Sequence, residues 1–114
     1  MSKTIIWNGV TRSDCIDNIE ARHGLADAAK NNDWTRALAL LEEHPEFINA
    51  TRPGGRSLYA PLHQAAYGGA PAAVVQTLIE LGAWRTLQNA LGERPVDIAE
   101  KRRRDALIET LTPD

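Results

Sequence analysis

The sequence predicts an all-α domain, a short solenoid of about three helix-turn-helix units with a capping segment at its N-terminal end. Three observations carry this. A motif, APLHQAA at residues 60 to 66, returns as RPVDIAE at 94 to 100 and has a fainter upstream echo in GLADAA at 24 to 29. Setting Leu62 over Val96 gives a spacing of 34, and Leu25 over Leu62 a spacing of 37, both in the range of helical repeat arrays. Each copy is followed by apolar residues spaced along one helix face: Ala37, Leu40 and Leu41, then Val74, Val75, Leu78 and Ile79, then Leu107, Ile108 and Leu111.

Taken in order, residues 1 to 23 cap the stack, because the unit beginning at Gly24 would otherwise expose a stacking face. TIIW supplies apolar cover there, with Trp7 packing in the cap, and Asn8-Gly9 hints at a tight turn. Ser13 or Asp14 caps a helix through IDNIEAR that turns Ile16 and Ile19 inward and ends at Gly24. The first unit, 24 to 59, holds Trp34 in its core and stops its longer helix at His44-Pro45, since proline cannot continue a helix. The second, 60 to 93, opens at Pro61, where a missing N–H costs nothing, and closes its longer helix on a left-handed Gly82. The third, 94 to 114, opens at Pro95 in the same way. All belong to one domain, 1 to 114.

Composition narrows the class further. A chain of 114 residues with 43% hydrophobic and 25% charged residues buries a real core and is not disordered. A formal charge of −2 argues against a dedicated DNA binder or a basic membrane-surface protein. One cysteine, Cys15, makes no internal disulfide, and eighteen consecutive apolar residues occur nowhere, so a cytoplasmic monomer with no membrane partner is expected.

The segment APLHQAAYGGAPAAVVQTLIELGAWRTLQNALGERPVDIA carries the signals PLH, AAxxG, VVxxL, GA and GxxP in order, and so resembles an ankyrin repeat running into the next. The match is close over about 40 residues, weaker over 24 to 59 and 94 to 112, and absent over 1 to 23. The resemblance implies that Ala65 and Ala66 are small because adjacent short helices stack closely, that Gly68 and Gly69 break the helix, and that His63 is a structural imidazole bonded within and between repeats. Departures matter too. Ala60 and Arg94 replace the usual threonine, losing a capping hydroxyl at about 1 kcal/mol each. The loop TRPGGRSLY is enlarged, and Asp97 and Glu100 stand where the second unit has His63 and Ala66, as in a polar end cap.

Signs of chemistry are few. His23, His44 and His63 show no HxxxH or HExxH spacing, so no metal or other cofactor is expected. Cys15 reads as a buried or half-buried thiol rather than a nucleophile, and neither RPGGRS nor YGGA has the lysine and hydroxyl of a phosphate loop. The expectation is therefore no enzyme. The run Lys101 to Arg104 reads either as a solvated turn or as a contact for phosphate or an acidic partner. Trp84, where the family usually has aspartate, either contacts a partner or packs on the enlarged first loop.

What the resemblance implies for function is recognition of another protein through finger loops and a concave face of short helices, as an adaptor or as an inhibitor or immunity-type protein that blocks a toxin or enzyme. Carried over by position, the contacts are Arg52, Arg56, Leu58 and Tyr59 in the first loop and Trp84, Arg85, Gln88, Ala90, Leu91 and Glu93 in the second. Lys30, Asn31 and Tyr67 add the short-helix ends. The alternative partner is nucleic acid, met through Lys101 to Arg104 with Arg52, Arg56 and Arg85.

Overall fold

The computed structural model describes the backbone of residues 12 to 113 and the side chains of residues 19 to 113. The apolar cover from TIIW, the Asn8-Gly9 turn, Trp7 and the side chains of Ser13, Asp14, Cys15 and Ile16 lie outside the described residues. Among the described residues there are six α-helices and no strand: α1 (Arg12–Lys30), α2 (Trp34–Glu43), α3 (Pro61–Gly68), α4 (Ala72–Glu80), α5 (Pro95–Lys101) and α6 (Asp105–Leu111), with one turn of 3-10 helix at Pro45–Phe47. Each odd-numbered helix packs on the even-numbered one that follows it, α1 also packs on α3 and α3 on α5, and α4 lies against α6. The core runs through all three pairs, with Leu41, Leu62, Leu78, Ile98 and Leu111 completely buried. Ala28, Ala29, Ala65, Ala66 and Ala99 are buried as well, and their small side chains let α1, α3 and α5 approach closely.

Proline and glycine act where the sequence places them. Pro61 and Pro95 occupy the first turns of α3 and α5, and no side chain of Ala60 or Arg94 caps the helix that follows. Helix α2 stops at His44 before Pro45, and α4 closes on Gly82 with φ of 109°.

Gly24 behaves differently from expectation: α1 is one helix of 19 residues that runs straight through it, so no break separates a cap helix from the first unit. Glycine costs a helix interior about 1 kcal/mol, too little to break a helix held by packing. A Cβ added there would lie 3.5 Å from Arg36 Nη2 and 3.6 Å from Leu40 Cδ1, so Gly24 sits where α2 comes close. On this continuous helix Ile19 is 46% exposed, contrary to its expected inward aim.

A periodicity appears in the backbone that the side chains do not announce. Asn32, Gly69 and Arg103 take left-handed φ values of 59°, 70° and 59°, each closing the turn between the two helices of a pair. After each of them one N–H reaches back five residues: Asp33 to Ala28 O at 2.8 Å, Ala70 to Ala65 O at 3.0 Å, and Arg104 to Ala99 O at 2.8 Å. These positions are 37 and 34 residues apart, the same spacings as Leu25, Leu62 and Val96. The same helix-closing turn is thus built three times, once from Asn, once from Gly and once from Arg.

His63 joins the second pair to the third. Its ring is completely buried; Nδ1 accepts the Ala60 N–H at 3.1 Å, which places the ring proton on Nε2, and Nε2 donates to the carbonyls of Leu87 at 3.0 Å and Glu93 at 3.1 Å. Burial pushes its pKa below 6.5, and a proton on Nδ1 would also face the Ala60 N–H it now accepts. Asp97, at the matching position of α5, accepts the Arg94 N–H at 2.9 Å and the Arg94 guanidinium at 3.1 and 3.2 Å. The end unit keeps the helix-capping half of the histidine's work and turns the other half on its own arginine.

Two groups of outcomes follow, one from His63 and one from the left-handed turns. His63→Ala strands the Ala60 N–H and the Leu87 and Glu93 carbonyls and lowers stability by about 1–3 kcal/mol in urea unfolding. Because the folded pKa is depressed, His63 contributes its full stability above 6.5 and loses it as pH falls below that value; the urea midpoint of the wild type drops on acidification through this window more than that of His63→Gln. The left-handed positions give the second group. Gly69→Ala is destabilising, since an added Cβ lies 2.9 Å from Arg104 Nε at φ of 70°, while Arg103→Gly raises stability by about 0.5–1 kcal/mol.

Candidate functional site

The two long connections lie side by side. In the first, Gly54 takes φ of 73° and the Gly55 N–H donates to Arg52 O at 2.9 Å, closing a tight turn. In the second, Asn89 is 6% exposed: its Oδ1 accepts the N–H groups of Leu91 and Glu93, both at 2.9 Å, and its Nδ2 donates to Glu93 Oε1 at 2.9 Å. The Ala90 N–H then donates to Ser57 O at 2.9 Å, tying one loop to the other. Asn49 makes a second tie, donating to Gly82 O at 3.2 Å and accepting the Trp84 N–H at 2.9 Å.

Between the first loop, the end of α1 and the face of α3 lies a groove of about 200 Å³, lined by Lys30, Arg52, Arg56, Ser57, Leu58, Tyr59 and Gln64 with Ala26 and Gly55. Arg52 Nη2 is paired with Asp27 Oδ1, and its Nη1 lies 3.1 Å from His23 Nδ1. That pairing holds the Asp27 carboxyl below its ordinary pKa. Beyond the groove, the Tyr59 ring meets that of Tyr67 edge-on at 6.1 Å, and the Arg102 guanidinium lies 4.0 Å above the Tyr67 ring. Burial and the nearby Glu93 carboxylate raise the Tyr59 pKa, so its hydroxyl stays protonated. Leu58 is 43% exposed and takes φ of 58°, a conformation that costs a leucine about 1 kcal/mol.

The expected contact residues therefore separate. Lys30, Arg52, Arg56, Leu58 and Tyr59 share the groove, Tyr67 adjoins it, and Asn31, Gln88, Ala90 and Leu91 are exposed on the helix end and the second loop. Glu93 is not an outward contact: its side chain is 14% exposed and held by Asn89 and by Lys101 Nζ at 2.5 Å, which lowers its pKa. Arg85 turns to the end of α6, donating to Thr110 O at 3.3 Å and Thr112 O at 3.5 Å. Trp84 is 63% exposed beside a separate hollow lined by Ile79, Thr86 and Pro113, and its N–H is tied to Asn49 ahead of the first loop. Asn89 and Asn49, which order both loops, carry no signal in the sequence beyond being polar residues in irregular segments.

The basic run is mostly absorbed by the fold. Lys101 pairs with Glu93, and Arg102 Nε and Arg104 Nη2 donate to the same carbonyl, Tyr67 O, at 3.1 and 3.0 Å. Both guanidiniums thus cap the C-terminal end of α3 from the next pair, where a helix leaves carbonyls unsatisfied and favours cations. Arg103 alone of the four has turned into the left-handed position, exposed. Replacing Arg102 and Arg104 together by serine removes two charge-assisted bonds between units and lowers the thermal midpoint, whereas Arg103→Ser leaves it nearly unchanged.

No protein-family model matches the chain, and no curated protein matches it. Among the described residues no group of three or more His, Cys, Asp or Glu side chains is placed to hold a metal ion, and no helix is long and apolar enough to cross a membrane.

Proposed function

We propose that the chain is an ankyrin-type repeat domain that binds another protein, without catalysis or cofactor, through its loop tips and the exposed face of α1, α3 and α5. Its units are 24 to 59, 60 to 93 and 94 to 114, the first continuous with the helix that precedes it. Support for the repeat comes from the helix-closing turn recurring at spacings of 37 and 34 and from the His63 link between adjacent pairs.

Support for binding rests on one observation above the rest: Leu58, Tyr67 and Leu91 are exposed at 43%, 44% and 79% on or beside the two tied loops, and Leu58 holds its place at a cost in backbone strain. Folding alone gives no reason to spend a leucine there. Large exposed apolar and aromatic side chains at neighbouring positions are the anchors of protein interfaces. Nucleic acid fits less well, because three of the four residues of the basic run, though at the surface, are held in bonds to Glu93 and Tyr67 of the same chain. The role within the cytoplasm is that of an adaptor or an inhibitor of immunity type, acting as a monomer.

The variant Leu58→Asn with Leu91→Ser tests this, since asparagine tolerates the left-handed backbone and both side chains are exposed. A nuclease-treated capture with the whole chain as bait retains a protein that this variant loses, its affinity reduced by about 1–3 kcal/mol at an unchanged thermal midpoint. Equal retention by bait and variant sinks the reading.

A further inference from the structure

The groove beside Leu58 differs in charge from the chain that contains it. The whole protein carries a formal charge of −2, yet Lys30, Arg52 and Arg56 line this recess and no carboxylate does. Arg52 is committed to Asp27, whereas no carboxylate of the described residues pairs with Lys30 or Arg56. Ser57, Tyr59 and Gln64 add neutral polar groups to the lining. Two uncompensated cations converging on a recess with hydroxyl and amide donors have the chemistry of a carboxylate site.

The surroundings decide which anion fits. Asp27 holds an exposed carboxylate beside Arg52, so an anion stands next to the cations on this face. A polyphosphate strand, with a charge at every step, meets that carboxylate; a single acidic side chain does not. The rim is apolar, with Leu58 in the groove wall and Tyr67 beside Tyr59. We infer that the groove seats the Asp or Glu side chain of a short partner-protein segment in which acidic residues are flanked by apolar ones, with Lys30 and Arg56 as the carboxylate contacts. The inference rests on the protein-binding reading above and names the chemistry of the partner.

The experiment is selection of peptides from a displayed random library on the whole wild-type chain, followed by titration of the winners against two variants: Lys30→Glu with Arg56→Glu, and Leu58→Asn with Leu91→Ser. Thermal melts verify that both fold, and Lys30→Gln with Arg56→Gln replaces the charge reversal if it does not. The expected winners are rich in Asp or Glu next to Leu or aromatic residues, weaken as salt is added, and bind the charge-reversed chain at least about tenfold less tightly. Winners with no acidic enrichment that still depend on Leu58 and Leu91 overturn the carboxylate site and leave the protein-binding face standing. Winners indifferent to both variants, or no winners at all, overturn both. Oligothymidylate binding tighter than every peptide, and lost on charge reversal, overturns the inference in favour of a nucleic-acid site.

Discussion

The imidazole of His63 is the point on which the arrangement hangs. It is buried at the start of α3, takes the Ala60 N–H on one nitrogen and gives its proton to the second loop on the other. A neutral ring with one donor and one acceptor is the only protonation state that serves both ends. Because its acceptors are the carbonyls of Leu87 and Glu93, the ring sets the bases of the loop whose tip Asn89 then shapes. Ala90 carries that order across to Ser57 in the first loop, and so to the wall of the groove. The candidate binding face is therefore positioned by a group that does not belong to it.

Charge is shared out in a way that composition conceals. Arg52, Arg85, Arg94, Lys101, Arg102 and Arg104 each satisfy a carboxylate or an orphan carbonyl elsewhere in the fold. Arginine suits this role, since its planar fork reaches helix-end carbonyls that no backbone N–H can reach. Among the described residues Lys30, Arg36, Arg56 and Arg103 remain without a carboxylate partner, and of these Lys30 and Arg56 share one groove.

The helix-closing turns show how one backbone geometry tolerates unequal residues. Glycine meets the left-handed turn without strain, asparagine meets it at small cost, and Asn32 adds bonds from its side chain to Gly68 O and from the Trp34 indole. Arg103 meets it at full cost, with Arg102 and Arg104 on either side anchored to Tyr67 O. The turn survives there because its neighbours are held by the preceding pair, not because arginine favours it.

Sequence alone determined what is local and periodic. Pro61, Pro95, His44-Pro45 and Gly82 set helix ends through fixed backbone geometry, the apolar spacing chose the buried faces from Ala37 to Leu111, and the structural role of His63 was implied by the resemblance its motif carries. Tertiary structure decided everything that depends on reach. Gly24 stays helical because α1 and α2 pack there, and Glu93 and Arg85 turn inward because Asn89, Lys101 and the end of α6 lie within range. Trp84 stays outside, although its own backbone is tied to Asn49. Such partners stand as far as 37 residues apart, as Arg104 and Tyr67 do, and a long side chain has many of them within its span. Only the packed backbone selects one, because the choice is made by distance in space after the helices have stacked.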